Sequence, residues 1–475
     1  MYQIITFAAA GAIIALMLLL TEKDSGARIN ILKTLTVLFC ALGFFRQWMT
    51  DAILYVINGG WLEEVYYETT DHLQIILRWG YLSAYSVIPL AVFTKTRVFR
   101  NIAGYVTVPF AALSVIFFDD FMAYFTAKNI HGFVLNPTLR AVLFIAELTL
   151  AIAIPVALHI GERHYFKVTS FTEWRNFLFS AVGVALVSVP TYLPQAFFGT
   201  SQIKPPLFKS FHLLWLLATL VIIITLYYLF RFRPYKDRYA LCLFLVLILF
   251  FHYNSLYTMG FTLKRLPFQL CNIAAYFFLI AIIFKLKSFF HFVLLANTVG
   301  TIFAMIGPDF GSGATSFFTI HFIYEHSLVL IIPALMAGLR IFPRVTLKSL
   351  KPLFIGYTSY FIFCFITGTI LNGYSDVTGE TVNYFYMFDL KTALDYFPFL
   401  KFATEHFYTF GRFVVYPIVI SIVYFGFFGL TLLFYAFVRA LYKFEDDHLA
   451  LRVSSIDLYE KITGKKSRRP RDYID

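Results

Sequence analysis

Residues Phe211 to Phe230, FHLLWLLATLVIIITLYYLF, run for twenty positions without a charged side chain. At 1.5 Å per residue a helix of that length measures about 30 Å, the thickness of the hydrocarbon core of a bilayer. Water offers no place for such a segment, and lipid does. The same pattern recurs along nearly the whole chain. Of its 475 residues 59% are hydrophobic, 20% aromatic and 14% charged, against roughly a quarter charged in soluble domains.

Spans are expected at about 3–21, 31–57, 75–94, 101–118, 139–160, 176–196, 211–231, 239–261, 268–286, 289–306, 318–339, 352–371 and 412–437. The fold class is therefore all-α, a polytopic transmembrane bundle of about thirteen helices. The first run, IITFAAAGAIIALMLLL from Ile4 to Leu20, lacks a basic leader and a small-residue cleavage site, so it reads as a retained span and not a removed signal.

The net charge of +12 would suggest nucleic acid in a soluble chain. Here Lys and Arg concentrate in alternate connections, 22–30, 95–100, 161–175, 231–238, 285–291 and 340–351, and beyond Arg439. Alternation of this kind sets topology and excludes a nucleic-acid partner; it puts the N-terminus outside and the C-terminus inside. The opposite connections carry acids, Glu63, Glu64 and Glu68 in one and Asp376, Glu380, Asp389 and Asp395 in 372–411. That last connection is too long for a simple link and suits a cover on the outer face. The ending GKKSRRPRDYID suits anionic headgroups of the inner leaflet. A Pro, Ser and Lys break at 197–210 suggests three parts: a six-span module at 1–200, a seven-span domain at 208–440 and a basic cytoplasmic tail at 441–475.

Charges inside spans are functional hypotheses by default, because each is costly in lipid unless paired or hydrated. Arg46, Asp51, Arg78 and Glu147 form one set, readable as interhelical ion pairs or as a substrate path. A second set lies in FFTIHFIYEHSLVL, where helical spacing puts His321 and Glu325 on one face and His326 about 100° away. His321-x-x-x-Glu325-His326 matches no zinc motif and has no third ligand, so neither metal nor cofactor is expected. The four cysteines, Cys40, Cys242, Cys271 and Cys364, show no disulfide or zinc spacing, and packing is their default role.

Cys271 differs in its surroundings. It sits in RLPFQLCNIAAYFF beside Gln269 and Asn272, with Pro267 read as the start of the helix. On that reading the thiol lies about 6 Å below the outer boundary and His326 about 12 Å, a gap that side-chain reach can close. Cysteine with histidine is a pair suited to acyl chemistry.

The order of motifs resembles the YwaF family of bacterial integral membrane proteins, relatives of the transmembrane protein 164 acyltransferases. The resemblance covers about 211–433 and runs through the opening span, LPFQLCN (family pattern near L-P-x-H-L-C-N), GPDFG, FIYEHSLVL and LNGYSDVTGETVNYFYM. It implies an integral-membrane acyltransferase or acyl-ester hydrolase acting on membrane lipids, with Cys271 as nucleophile and His326 as base. Gln269, Asn272, Asp309, His321, Glu325, Asn372 and Asn383 would be substrate-facing or supporting polar groups. Gln269 replaces the family histidine, which leaves His326 to act alone. The resemblance also implies a multi-pass protein of a bacterial plasma membrane, whose N-terminal module suits a membrane-protein partner. Two other readings stay open: a transporter or lipid flippase lined by Arg46, Asp51, Glu147, Glu325 and His321, and a non-catalytic scaffold for envelope assembly.

Overall fold

The computed structural model describes residues 1–22, 24–48, 71–94, 96–123, 135–161, 170–188, 197–199, 203–258, 262–308, 310, 313–389, 394 and 398–464. Each expected span contains a helix. They are α1 Tyr2–Leu20, α2 Ser25–Trp48, α3 His72–Thr94, α4 Arg97–Ile116, α5 Pro137–Ile160, α6 Phe171–Val187, α7 Ser210–Phe230, α8 Tyr235–Tyr257, α9 Leu270–Phe284, α10 Lys287–Ile306, α11 Phe317–Gly338, α12 Leu347–Gly373 and α13 Pro417–Thr463. Among the described residues eleven helices are long and apolar enough to cross a membrane. The other two, α6 and α9, have 17 and 15 residues. One short hairpin, β1 Tyr408–Phe410 and β2 Phe413–Val415, precedes α13. The last span accordingly starts at Pro417, where proline fits the first helical turn, and not at 412.

The chain divides into two compact units. The first contains Met1–Pro205, Leu243–Thr262 and Phe310–Tyr324; the second contains Pro206–Cys242, Leu263–Asp309 and Glu325–Asp475. In the first unit α5 is the central helix, with α1, α2 and α4 packed along it. Its apolar residues face inward on nearly every side, including Phe144, Leu148, Ile154 and Leu158. By contrast α1 buries a single stripe, Thr6, Ala10 and Met17, and exposes Ile4, Leu16, Leu19 and Leu20. An exposed face of that composition suits lipid.

Two of the intramembrane charges answer each other in this unit. Arg46 of α2 donates from Nε to Glu147 of α5 at 2.9 Å, with the side chains 4% and 0% exposed. Tyr85 of α3 donates its hydroxyl to the second Glu147 oxygen and Tyr81 accepts from Arg46 at 3.2 Å. The guanidinium also lies over the Phe144 ring, 4.9 Å from its centroid. Three helices are tied at one point. Gly43 makes this possible, since a Cβ there would lie 2.1 Å from the Tyr85 ring. Asp51, Glu63, Glu64 and Glu68 lie outside the described residues.

In the second unit α9 packs on α10, α10 on α12, and α13 on α10. Where its connections leave the spans, Arg344 donates to Glu445 at 2.8 Å and Asp446 at 2.7 Å, and Tyr227 donates to Glu445 at 3.0 Å. The Asp446 bond, more than any other neighbour, holds the Arg344 guanidinium further toward its charged form. The helix α13 continues through this anchor to Thr463; residues 465–475, most of the basic ending, lie outside the described residues.

Candidate functional site

Gln269 is the N-cap of α9, with extended backbone, and the helix proper begins at Leu270. This corrects one expectation: Pro267 sits in the turn before the helix and does not start it. Proline lacks the N–H a ladder needs, and the chain instead makes a 3-10 turn at Leu263–Arg265 before α9. Fifteen residues give α9 a length of about 22 Å, short of the hydrocarbon core. At the other end Lys285 takes a left-handed cap, φ 53°, and donates its N–H to Ala281.

Cys271 is thus the second residue of a helix, where backbone N–H groups are not used within the helix. Its thiol donates to the side-chain oxygen of Asn272 at 2.9 Å. Three elements fix the backbone around it. Asn297 of α10 donates its amide to the Leu270 carbonyl, Tyr360 of α12 donates to Pro267 at 3.4 Å, and Cys364 of α12 donates to Phe268 at 3.3 Å. Asn297 reaches Leu270 from a π-helical turn, Val293–Asn297. The extra residue in such a turn rotates the positions after it, and π turns favour functional sites.

The long connection after α12 covers this helix start. Gln269 clamps it with both ends of its amide: Nε2 donates to the Asn383 carbonyl at 2.9 Å and Oε1 accepts from the Phe385 N–H at 3.1 Å. Asn372, at the end of α12, brackets Val382 in the same fashion, donating to its carbonyl at 2.9 Å and accepting from its N–H at 2.7 Å. Asn383 organises the segment internally, accepting from the N–H groups of Phe388 and Asp389, both at 3.0 Å. Glu380 accepts from the Leu263 N–H at 2.7 Å and Tyr384 donates to the Leu263 carbonyl.

Two bulky residues of the cover, Phe385 and Tyr386, have φ of 55° and 57°. Left-handed backbone is unfavourable for side chains of this kind unless surrounding contacts impose it. The imposing contact is the Phe385 ring, buried among Tyr357, Tyr360, Phe361 and Phe427. Phe388 lies in a notch at Gly368 of α12, where a Cβ would come within 2.3 Å of the ring.

The remaining expected residues are on α11. Glu325 and His326 belong to the same compact unit as Cys271 and both are buried; Glu325 lies within electrostatic range of the Cys271 sulfur. His321, one turn earlier, belongs to the first unit, where its ring stacks on His252. Asp309 lies outside the described residues. The structure therefore brings together Gln269, Cys271, Asn272, Asn372, Asn383 and Glu325. Sequence reading missed Asn297, Tyr360 and Glu380. An Asn in an otherwise apolar span was the available signal for the first; the others look like ordinary aromatic and loop residues.

Comparison with characterised proteins and with solved structures gave no match. Residues 207–435, just under half of the chain, match the TMEM164 family. The matched region opens just before α7, includes the α9 site and its cover, and ends within α13. In these residues this multi-pass membrane protein is a TMEM164 family member, the family to which the YwaF-like proteins correspond.

Proposed function

We propose that the domain formed by residues 207–435 transfers or hydrolyses acyl groups of membrane lipids, with Cys271 as nucleophile and His326 as proton acceptor. The observation that carries this reading is the fixing of the Cys271 turn by Gln269, Asn297, Tyr360 and Cys364. A nucleophile held on a rigid helix start gains rate by positioning, because little motion has to be frozen out at the transition state.

In the first step the sulfur attacks the carbonyl carbon of a lipid acyl ester while the thiol proton passes to His326. The ester C–O bond then breaks, and the departing lysolipid alkoxide takes that proton, leaving an acyl thioester on Cys271. An acceptor hydroxyl, or water, gives its proton to His326 and attacks the thioester; the thiolate leaves and recovers the proton. Free N–H groups of the α9 first turn and the Asn272 amide are the donors for the oxyanion of each tetrahedral intermediate. Gln269, Asn372 and Asn383 serve by holding the cover over this turn, and Glu325 and His321 are the further polar groups of the inward helix α11. In this reading the protein works in a bacterial plasma membrane, with the basic ending on anionic inner-leaflet headgroups and the N-terminal unit as the contact for a membrane-protein partner.

The test is lipid profiling of the native host carrying wild type, Cys271→Ala or His326→Ala, with membrane abundance measured in parallel. Both variants are expected to lose the same acyl remodelling at normal abundance. An unchanged profile in Cys271→Ala overturns the enzyme reading and favours a transporter or a scaffold.

A further inference from the structure

The first unit contains a polar cluster for which acyl transfer has no use. His252 of α8 and His321 of α11 stack with ring centroids 5.1 Å apart and planes 19° apart. Tyr324, one turn along α11, brings its ring to 4.0 Å from His252, and Tyr253 lies 6.2 Å from His321. Arg78 of α3 is within electrostatic range of His252. The three basic side chains are withdrawn from the surface: Arg78 is 2%, His252 6% and His321 4% exposed.

Within this cluster two adjacent polar atoms, His252 Nε2 and Tyr324 Oη, have no hydrogen-bond partner among the described residues. Buried polar atoms are almost always satisfied, because leaving them bare forfeits their hydration without return. Two such atoms on rings in contact call for a shared ligand. The charge of the cluster selects its class. A metal cation would meet the Arg78 guanidinium and only two imidazoles, and no group of three His, Cys, Asp or Glu able to hold a metal occurs among the described residues. An oxyanion would meet donors: the guanidinium fork, an imidazole N–H and a phenolic O–H.

We propose that Arg78, His252, His321 and Tyr324 form a buried binding site for a phosphate group, separate from the Cys271 chemistry. The group can arrive on a phospholipid or as free phosphate, and the recognition chemistry is the same.

The experiment uses full-length protein in a neutral detergent. Binding of dihexanoyl phosphatidylglycerol and of inorganic phosphate is followed by thermal shift and by native mass spectrometry, with dihexanoylglycerol as the probe lacking phosphate. Saturable binding of either phosphate probe, but not of dihexanoylglycerol, is expected, weakened at least tenfold in Arg78→Gln, His252→Phe and Tyr324→Phe and retained in Cys271→Ala. Binding of the short-chain lipid without competition by inorganic phosphate identifies a lipid headgroup; binding and competition by inorganic phosphate identify the free ion. Tyr324→Phe removes a single hydroxyl, and its elution from a sizing column shows whether the fold is kept. The proposal is overturned if neither probe binds, if binding is the same in Tyr324→Phe and His252→Phe as in wild type, or if zinc binds in place of phosphate. Variants that change thermal stability without any phosphate effect indicate a bridging water and overturn it as well.

Discussion

Replacing Gln269 by Ala removes both hydrogen bonds that hold the outer cover to the start of α9, the 2.9 Å bond to Asn383 and the 3.1 Å bond from Phe385. Each is worth about 0.5–1.5 kcal/mol net. The neighbouring ties at Glu380, Tyr384 and Asn372 remain, so the loss in closing free energy is about 1–2 kcal/mol, a factor of about 5–30 in the open population. Opening also lets Phe385 and Tyr386 leave left-handed backbone, which pushes toward the upper part of that range. Hydrogen exchange in detergent reads this directly. Peptides covering 380–389 should exchange about 5–30 times faster in Gln269→Ala, with α5 peptides unchanged. Gln269→Glu keeps an acceptor for Phe385 and should fall between. Unaltered exchange at 380–389 would refute the clamp, and faster exchange throughout would show that Gln269 supports the whole fold and not the cover.

Glu147→Gln leaves the Arg46 guanidinium buried without its counter-charge and should lower stability by about 3–5 kcal/mol, read as a fall in thermal midpoint in detergent; Arg46→Met with Glu147→Leu should lose less than Glu147→Gln alone. Gly43→Ala puts a methyl into the Tyr85 ring and should destabilise by about 1–3 kcal/mol in the same assay. Gly368→Ala expels the Phe388 ring from its notch on α12 and should speed exchange of the cover much as Gln269→Ala does, while leaving Arg46 and Glu147 undisturbed.

The spans were legible because lipid demands about twenty apolar residues per crossing, and nothing else in a chain looks like Phe211 to Phe230. The pairing of Arg46 with Glu147 was among the readings of the N-terminal charges for a similar reason: a buried charge needs an opposite one. Helix ends were less legible. The short α9 depends on a left-handed Lys285 and on an N-cap supplied by Gln269, features that hydropathy does not register. The last span was expected to stop at 437, yet α13 continues to Thr463, where Arg344 ties down Glu445 and Asp446.

At the site, the sequence pointed to Cys271 and to the amides near it, and the structure joins several of them. What it could not convey was the direction of the Gln269 amide, which bonds residues more than a hundred positions away. Read from the motif, Gln269 was a lost histidine; in the fold it is a clamp. The π turn that aims Asn297 at Leu270 leaves no mark in hydrophobic periodicity. His252 and His321 were equally hidden as a pair, since each is a single histidine in an apolar run.

The central claim is that Cys271 carries an acyl group. Purified protein incubated with phospholipid in the absence of acceptor, then digested and weighed by mass spectrometry, tests it most directly. The account predicts an acyl mass on the peptide containing Cys271, removed by hydroxylamine, depleted when a lysolipid acceptor is added and absent in Cys271→Ala. A Cys271 peptide that stays unmodified under conditions where lipid acyl groups still turn over, with the same turnover in Cys271→Ala, would contradict it.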